Sequence, residues 1–319
     1  MSGRGRVSTI MRTTTLSGLA SDDHQLFHCG SLRIKETTVL PRQAVARGGP
    51  VPALVRSGRW PLPVWLLLVA AATPERALVD LRYYRIFASG CLGLSLSDRR
   101  GGSVRSTVAR ALARLVELRL VTVEEKRHGR LIVQLLALDG SGAPYAMPQR
   151  AVTKVVHVPT GLLFANGWHR ALTTVELASL MIALTEESWQ FHKFGQHEWE
   201  KSRVQIARDY GIAASTWSRG KDGLFGRGLL KWDLPTLAPG SGPERVPTDR
   251  YTVDLSSLAL RPEDAPRFMA WPIPTTITAP GTGMPLRLHR VGRIQISPAQ
   301  PAAAAGLQKE MATPRRSAY

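Results

Sequence analysis

The sequence predicts an α+β fold, mainly α, in which one helix-and-hairpin unit occurs twice in tandem. Three observations predict it. Ser106-Thr107-x-x-Arg110 recurs as Ser215-Thr216-x-x-Arg219, and the same offset of 109 residues brings Leu115 onto Leu224, Leu120 onto Leu229 and Val121 onto Leu230. Each copy follows a glycine, Gly102 or Gly211, and runs into strand-like sequence. The two periodic blocks are flanked by an Arg/Gly/Ser/Thr-rich lead and a Pro/Ala/Thr/Arg-rich tail, which mark where packing is expected to stop.

Taken in order, residues 1–58 read as a basic, weakly structured N-terminal arm. Only 25–34 suggests a strand, and Gly30 interrupts it. The first domain is expected over 59–140. It opens with the apolar helix after Pro61, continues through a helical stretch near 74–88, and reaches SVRSTVARALARLVELRLV at 103–121. A hairpin follows, LVTVEE and LIVQLLAL joined by Lys126-Arg127-His128-Gly129-Arg130, with glycine where positive φ is tolerated. Residues 141–168 form the expected connecting segment, because 139–148 has the Gly/Pro/Ser content of a linker. The second domain is expected over 169–271. It starts with a helix at 171–188, with Thr173 or Thr174 as N-cap and Glu176 in the first turn. The segment 202–233, a Pro/Gly-rich loop at 235–248 and the strand RYTVDL complete it. Residues 272–319 are too poor in apolar surface to offset chain entropy and are expected to be a disordered tail.

Within QIARDYGIAASTWSR, Ala207 is small, Gly211 follows four residues later and Trp217 six beyond that. This spacing resembles the helix-turn-helix family, where a small residue admits the second helix, glycine turns the chain and an apolar residue locks the second helix. In the first block Gly102 and Val108 match, but Asp98 stands at the small position, so its first helix must be shorter or shifted. With a hairpin after each second helix, the whole resembles two tandem winged helix-turn-helix domains with flexible basic N-terminal and Pro/Ala-rich C-terminal tails.

The resemblance implies a recognition helix in each block. At about 100° per residue, Val104, Val108, Ala111, Leu112 and Leu115 share one face of the first, and Ser106, Arg110, Ala113 and Glu117 the opposite one. Arg105, Ser106, Thr107, Arg110 and Arg114 are therefore candidate DNA contacts, since arginine pairs with guanine and hydroxyls reach phosphates or base edges. The hairpin tip adds Lys126, Arg127, His128 and Arg130. In the second block the candidates are Ser215, Thr216, Arg219 and Lys221. Gly220, Gly223, Gly226 and Gly228 each cost up to ~1 kcal/mol in a helix interior, and Lys221 stands where the first copy has Leu112. Looser packing, or a helix ending near Gly223, is expected there.

Composition points to a polyanionic partner. The 42 Lys+Arg exceed the 24 Asp+Glu, giving a formal net charge of +18, and 34 of the cations are arginine. A GC-rich genome would also enrich arginine. Cys29 and Cys91 provide no disulfide framework or CxxC metal pair. The apolar run at 64–72 is far shorter than the ~20 residues of a membrane span, and the N-terminus has no apolar core of a secretory signal. A cytoplasmic, nucleoid-associated protein without membrane contact is expected. There is no GxxxxGK[ST] loop, no paired carboxylates, and no histidine pair with a tyrosine of the nicking-enzyme kind. His24, His28 and Cys29 lack further ligands, and His192 and His197 lie in an aromatic insertion suited to protein contact. Neither enzyme activity, cofactor nor metal is expected.

Over roughly 60–270 the layout resembles plasmid replication initiators of the two-winged-helix type, in an actinobacterial style. That resemblance implies double-stranded DNA as partner, with each domain reading part of an iterated origin repeat, and host replication proteins as further partners. A transcriptional regulator, with transcription proteins as partners, and a winged-helix scaffold for chromosome or protein interactions stay open. The sequence leaves the oligomeric state undetermined.

Overall fold

A helix without a polar residue organises the first half of the chain. Pro61 opens it with φ already set for a helix, and every residue from Pro61 to Ala70 is buried. Such a helix has no solvent face and must be covered on all sides. A computed structural model describes residues 26–29, 32–73, 77–81, 92, 102–126, 130–148, 154–233, 250–278 and 285–296. For 26–29, 32–33, 102–105, 233, 268–278 and 285–296 only the backbone is described.

The chain begins with an antiparallel pair, β1 (Leu26–Cys29) and β2 (Leu32–Lys35), followed by β3 (Thr38–Pro41). Helices α1 (Pro50–Val55) and α2 (Pro61–Ala71) follow. Next come β4 (Leu78–Leu81), α3 (Gly102–Glu117), β5 (Val121–Lys126) and β6 (Arg130–Leu135). The three strands form an antiparallel sheet in the order β4-β6-β5.

The second half starts with β7 (Val155–Val158), α4 (Thr160–Ala165) and α5 (Trp168–Ala171). It then repeats the first: a long helix α6 (Thr174–Phe194), a strand β8 (Trp199–Glu200), then α7 (Arg203–Tyr210), α8 (Ala214–Gly226), β9 (Leu230–Asp233) and β10 (Arg250–Val253). Its sheet order, β8-β10-β9, is that of the first half. A short α9 (Leu255–Leu258) and a two-stranded hairpin, β11 (Arg267–Thr278) with β12 (Pro285–Ile296), end the described chain. The fold is α+β, with small antiparallel sheets set among helices. Among the described residues no helix is long and apolar enough to cross a membrane.

The 109-residue offset holds at the level of single hydrogen bonds. Helices α3 and α8 both end on a left-handed residue, Arg119 (φ 54°) and Gly228 (φ 72°). The Arg119 N–H donates to Val116 O and Gly228 N–H to Phe225 O, each at 2.9 Å. Leu120 N–H donates to Leu115 O and Leu229 N–H to Leu224 O, at 2.9 and 3.0 Å. This wrap satisfies the carbonyls a helix end leaves open and aims the chain into the next strand. Val108 and Trp217, Leu115 and Leu224, and Val121 and Leu230 are buried in equivalent places.

The halves are not joined by a free linker. β3 pairs antiparallel with β7, from Thr38 opposite Val158 to Pro41 opposite Val155. Contacts across the junction are reciprocal: α1 of the first half meets α6 of the second, and α4 of the second meets α2 of the first. Thr38 and Thr160 share a buried 2.8 Å hydrogen bond at the strand end, and buried apolar residues of both halves form one cluster.

Four expectations need correction. The 1–58 arm is not weakly structured throughout: Ile34, Leu40, Ala44, Val45, Val51 and Leu54 are buried in it. Its apolar residues are too short a run to declare a strand, and the partner that orders them lies more than a hundred residues away. The 141–168 segment contributes β7 and α4 to the core rather than merely connecting. Of the helix expected near 74–88, Leu78–Leu81 form the strand β4, drawn into extended form by pairing with β6, and 74–76 and 82–88 lie outside the described residues. The 272–319 tail carries most of the β11–β12 hairpin. Pro272 and Pro274 stand two residues apart, so both missing N–H groups fall on the same edge of the strand.

Candidate nucleic-acid interface

Helix α3 has the two faces its periodicity implies. Val108, Ala111, Leu112 and Leu115 are buried, while Ser106, Ala109, Arg110 and Ala113 are exposed. Arg110 Nε donates to the Ser106 carbonyl one turn back at 3.1 Å, which lays the guanidinium along the exposed face. Thr107 is half-buried beside it. Arg114 is held from two sides: its Nε donates to Ser57 Oγ at 3.0 Å and its Nη1 to Glu117 Oε2 at 2.7 Å. Arg105 lies in the first turns of α3, but its side chain is outside the described residues.

The hairpin candidates divide. Arg127 and His128 lie outside the described residues. Lys126 pairs with Glu124 on the same strand. Arg130 makes a two-pronged contact with Asp80 across the sheet, at 2.9 and 2.6 Å. The Asp80 hydrogen bond and charge hold the Arg130 proton even more firmly than usual. Arg130 thus fastens the turn end of the hairpin to β4 while remaining half exposed.

In α8, Ser215 and Arg219 are exposed and Thr216 is half-buried, the same pattern as Ser106, Arg110 and Thr107. Lys221 is not at the surface. Only 2% of it is accessible, and its Nζ lies 3.5 Å from the centroid of the Trp232 ring. The 109-residue offset puts it at the core position of Leu112, and position prevailed over residue type: the alkyl stem packs and the ammonium rests on an aromatic face. It is withdrawn as a DNA contact.

The glycines of α8 are also not a sign of loose packing, and the helix does not stop at Gly223. A Cβ on Gly220 would lie 2.0 Å from Ser179 Oγ and 2.9 Å from the Val175 carbonyl, and one on Gly223 would lie 2.2 Å from Glu176 Oε1. The glycines allow α8 to approach α6 backbone to side chain.

One group of residues was missed by sequence reasoning. Ser57, Arg59, Trp60 and Pro61 share a concavity of about 290 Å³ with Thr107, Arg110 and Ala111 of α3. The signal for it is an absence of acid: 37–74 and 140–175, which build the junction, contain no Asp or Glu. The aromatic insertion noted at 189–199 is folded onto α6, with the His197 ring stacked on Phe191 and bonded to Glu187 Oε1 at 3.1 Å.

No family model, curated protein or solved structure matches the chain. The site therefore has to be read from its own geometry. Two equivalent helices each expose a serine and an arginine, with a half-buried threonine between them. Each helix is followed by a two-stranded ribbon, and between the two lies a junction whose own segments carry only positive charge.

Proposed function

We propose that the repeated units are tandem winged helix-turn-helix domains and that the chain binds double-stranded DNA through them, as a replication initiator of the plasmid type acting on origin repeats. One observation carries the reading: α3 and α8, equivalent by topology and by capping bonds, present the same Ser-Thr-x-x-Arg pattern, with serine and arginine exposed and threonine half-buried. A helix of this kind fits the major groove, with Arg110 and Arg219 within reach of guanine edges and the hydroxyls anchoring register. The net charge of +18 supplies the nonspecific attraction. A junction joined by strand pairing supports reading of two successive major grooves, about 34 Å apart, by one chain. The proposed chemistry calls for no cofactor or metal, and a protein acting this way would sit at the nucleoid.

The test is selection of fragments from the source genome by the full-length chain, followed by footprinting. A cluster of direct repeats is the expected target. A single promoter-overlapping site would transfer the reading to transcriptional regulation, and no DNA retained at about 50 mM salt, where phosphate contacts are strongest, would overturn DNA binding altogether.

A further inference from the structure

The seam between the two units lies between the two helices just described. On one side Arg114 of α3 donates to Ser57 Oγ. On the other, Glu176 of α6 accepts from Arg227 Nε, at the C-cap of α8, at 3.1 Å. Across the middle, Thr174 Oγ1 donates to the carbonyls of Gly58 and Arg59 at 3.1 Å, and Arg59 Nη2 donates to the Arg170 carbonyl at 3.1 Å. A nearly continuous line of contacts thus runs from α3 through residues 56–60 to α8.

Charge in the middle of this line, on the 56–60 loop and at Arg170, is one-sided. Arg56, Arg59 and Arg170 are exposed. Their segments contain no carboxylate, and the nearest acid in sequence, Glu176, is spent on the Thr173 N–H and Arg227. The Arg59 guanidinium lies over the Trp60 ring, 5.1 Å from its centroid, which orients it. The concavity beside it opens onto Thr107 and Arg110. A purely structural loop has no use for three exposed arginines on segments that meet at one seam, since like charges there weaken the contact between units.

We propose that the 56–60 loop, together with Arg170, is a phosphate-binding ridge that takes the sugar–phosphate backbone running between the two major-groove sites. This rests on the DNA-binding reading above and adds its central contact. The ridge carries no base information. It sets register by holding backbone at the point where the strand passes from one helix to the other.

The experiment measures binding of the full chain to a random-sequence duplex of about 40 base pairs across a salt series, with Arg56→Gln/Arg59→Gln as the variant. Each lost phosphate contact should make the slope of log K against log salt shallower by about one, so a change of about two is expected, equal on random and genome-selected DNA. Arg59→Lys keeps the charge and should keep its contact's share of the slope. Thr174→Val breaks the seam hydrogen bonds without removing charge and should leave the slope unchanged. A double variant that melts like wild type and keeps the wild-type slope overturns the ridge, as does a Thr174→Val chain that reproduces the slope change. Wild-type chain that ignores the duplex at low salt overturns the DNA reading itself, a result distinct from either.

Discussion

The two halves fill the same architecture with opposite chemistry. In the first, α2 is buried and apolar from Pro61 to Ala70, and α3 meets it with Val108, Ala111, Leu112 and Leu115. In the second, α6 buries Glu176, Ser179, Thr185, Glu186 and Glu187, and α8 presents Gly220 and Lys221. Glu186 accepts from Arg42 at 3.2 Å, from Lys201 at 2.8 Å and from the Tyr210 hydroxyl. Lys201 also reaches Asp209, where burial opposes ionisation but the bonds from Lys201 and Arg208 outweigh it, so that the carboxyl stays below its usual range. Buried charge is tolerated because each group is paired and hydrogen-bonded. The contrast teaches that topology decides which positions are interior, while residue type decides only how closely the elements approach.

The largest test of that contrast is Gly220→Ala. The equivalent position in α3 is Ala111, where a methyl is already accommodated. In α8 the added Cβ meets the Val175 carbonyl, which cannot rotate away, as well as Ser179. Despite alanine's better helix propensity, the expected loss is about 2–3 kcal/mol, the upper part of the range for overpacking. Urea denaturation measures it. Ser179→Gly in the same chain should restore part of the loss. A Gly220→Ala chain as stable as wild type would mean that the helices are not in close contact.

Next in size are the two proposed DNA contacts, Arg110 and Arg219. Arg110→Ala should weaken specific binding by roughly 1–3 kcal/mol and relax base choice at one position. Arg219→Ala should cost less, because the first unit combines an amphipathic helix with a basic hairpin tip. Competition binding on selected against random DNA separates the two. Equal losses on both DNAs for Arg110→Ala would reduce that arginine to a phosphate contact.

Much of the first unit was legible because local pattern and final environment agree. The buried face of α3 follows from spacing alone, and in the second unit the Thr173/Glu176 pair that opens α6 was equally legible, as a capping box. The second unit was less legible for a physical reason: a glycine read by propensity is a weak helix residue, whereas here it marks a close helix contact. Lys221 was readable, but only by trusting the repeat over the ordinary exposure of lysine. The β3–β7 pairing was not readable at all. Four-residue strands such as TVLP and VVHV carry little periodic signal, and nothing local ties Thr38 to Val158. The Arg59–Arg170 ridge depends on that pairing and became visible only once the halves were joined.

A smaller effect is expected from replacing Lys221 by the first unit's solution. Lys221→Leu exchanges a buried ammonium over Trp232 for an aliphatic side chain of similar volume, and stability should stay within about 1.5 kcal/mol of wild type. Lys221→Ala leaves a void and should cost more than Lys221→Leu. The salt slope of DNA binding should not change in either. A slope shallower by one in Lys221→Leu would return this residue to the interface.

The smallest effect concerns Glu187, which has no apolar-core counterpart in α2. Burial raises its carboxyl above the ordinary value near 4.5, and the bonds it accepts from Val253 N–H and shares with His197 oppose the shift without cancelling it. The unfolded chain ionises this group more readily than the folded one. Just above pH 4.5 the unfolded state therefore holds fewer protons, and the Glu187 contribution to stability falls as pH rises until the folded carboxyl is itself ionised. Glu187→Gln removes this titration while its amide oxygen still accepts from Val253 N–H and its NH₂ can donate to a neutral His197. Relative to wild type, the variant should gain stability as pH rises through that window and keep the gain at neutral pH. Parallel denaturation of both chains from acid to neutral pH isolates Glu187 together with the His197 it contacts, because titrations elsewhere are common to both. A stability difference that does not change with pH would show that Glu187 is ionised as readily in the fold as in the unfolded chain.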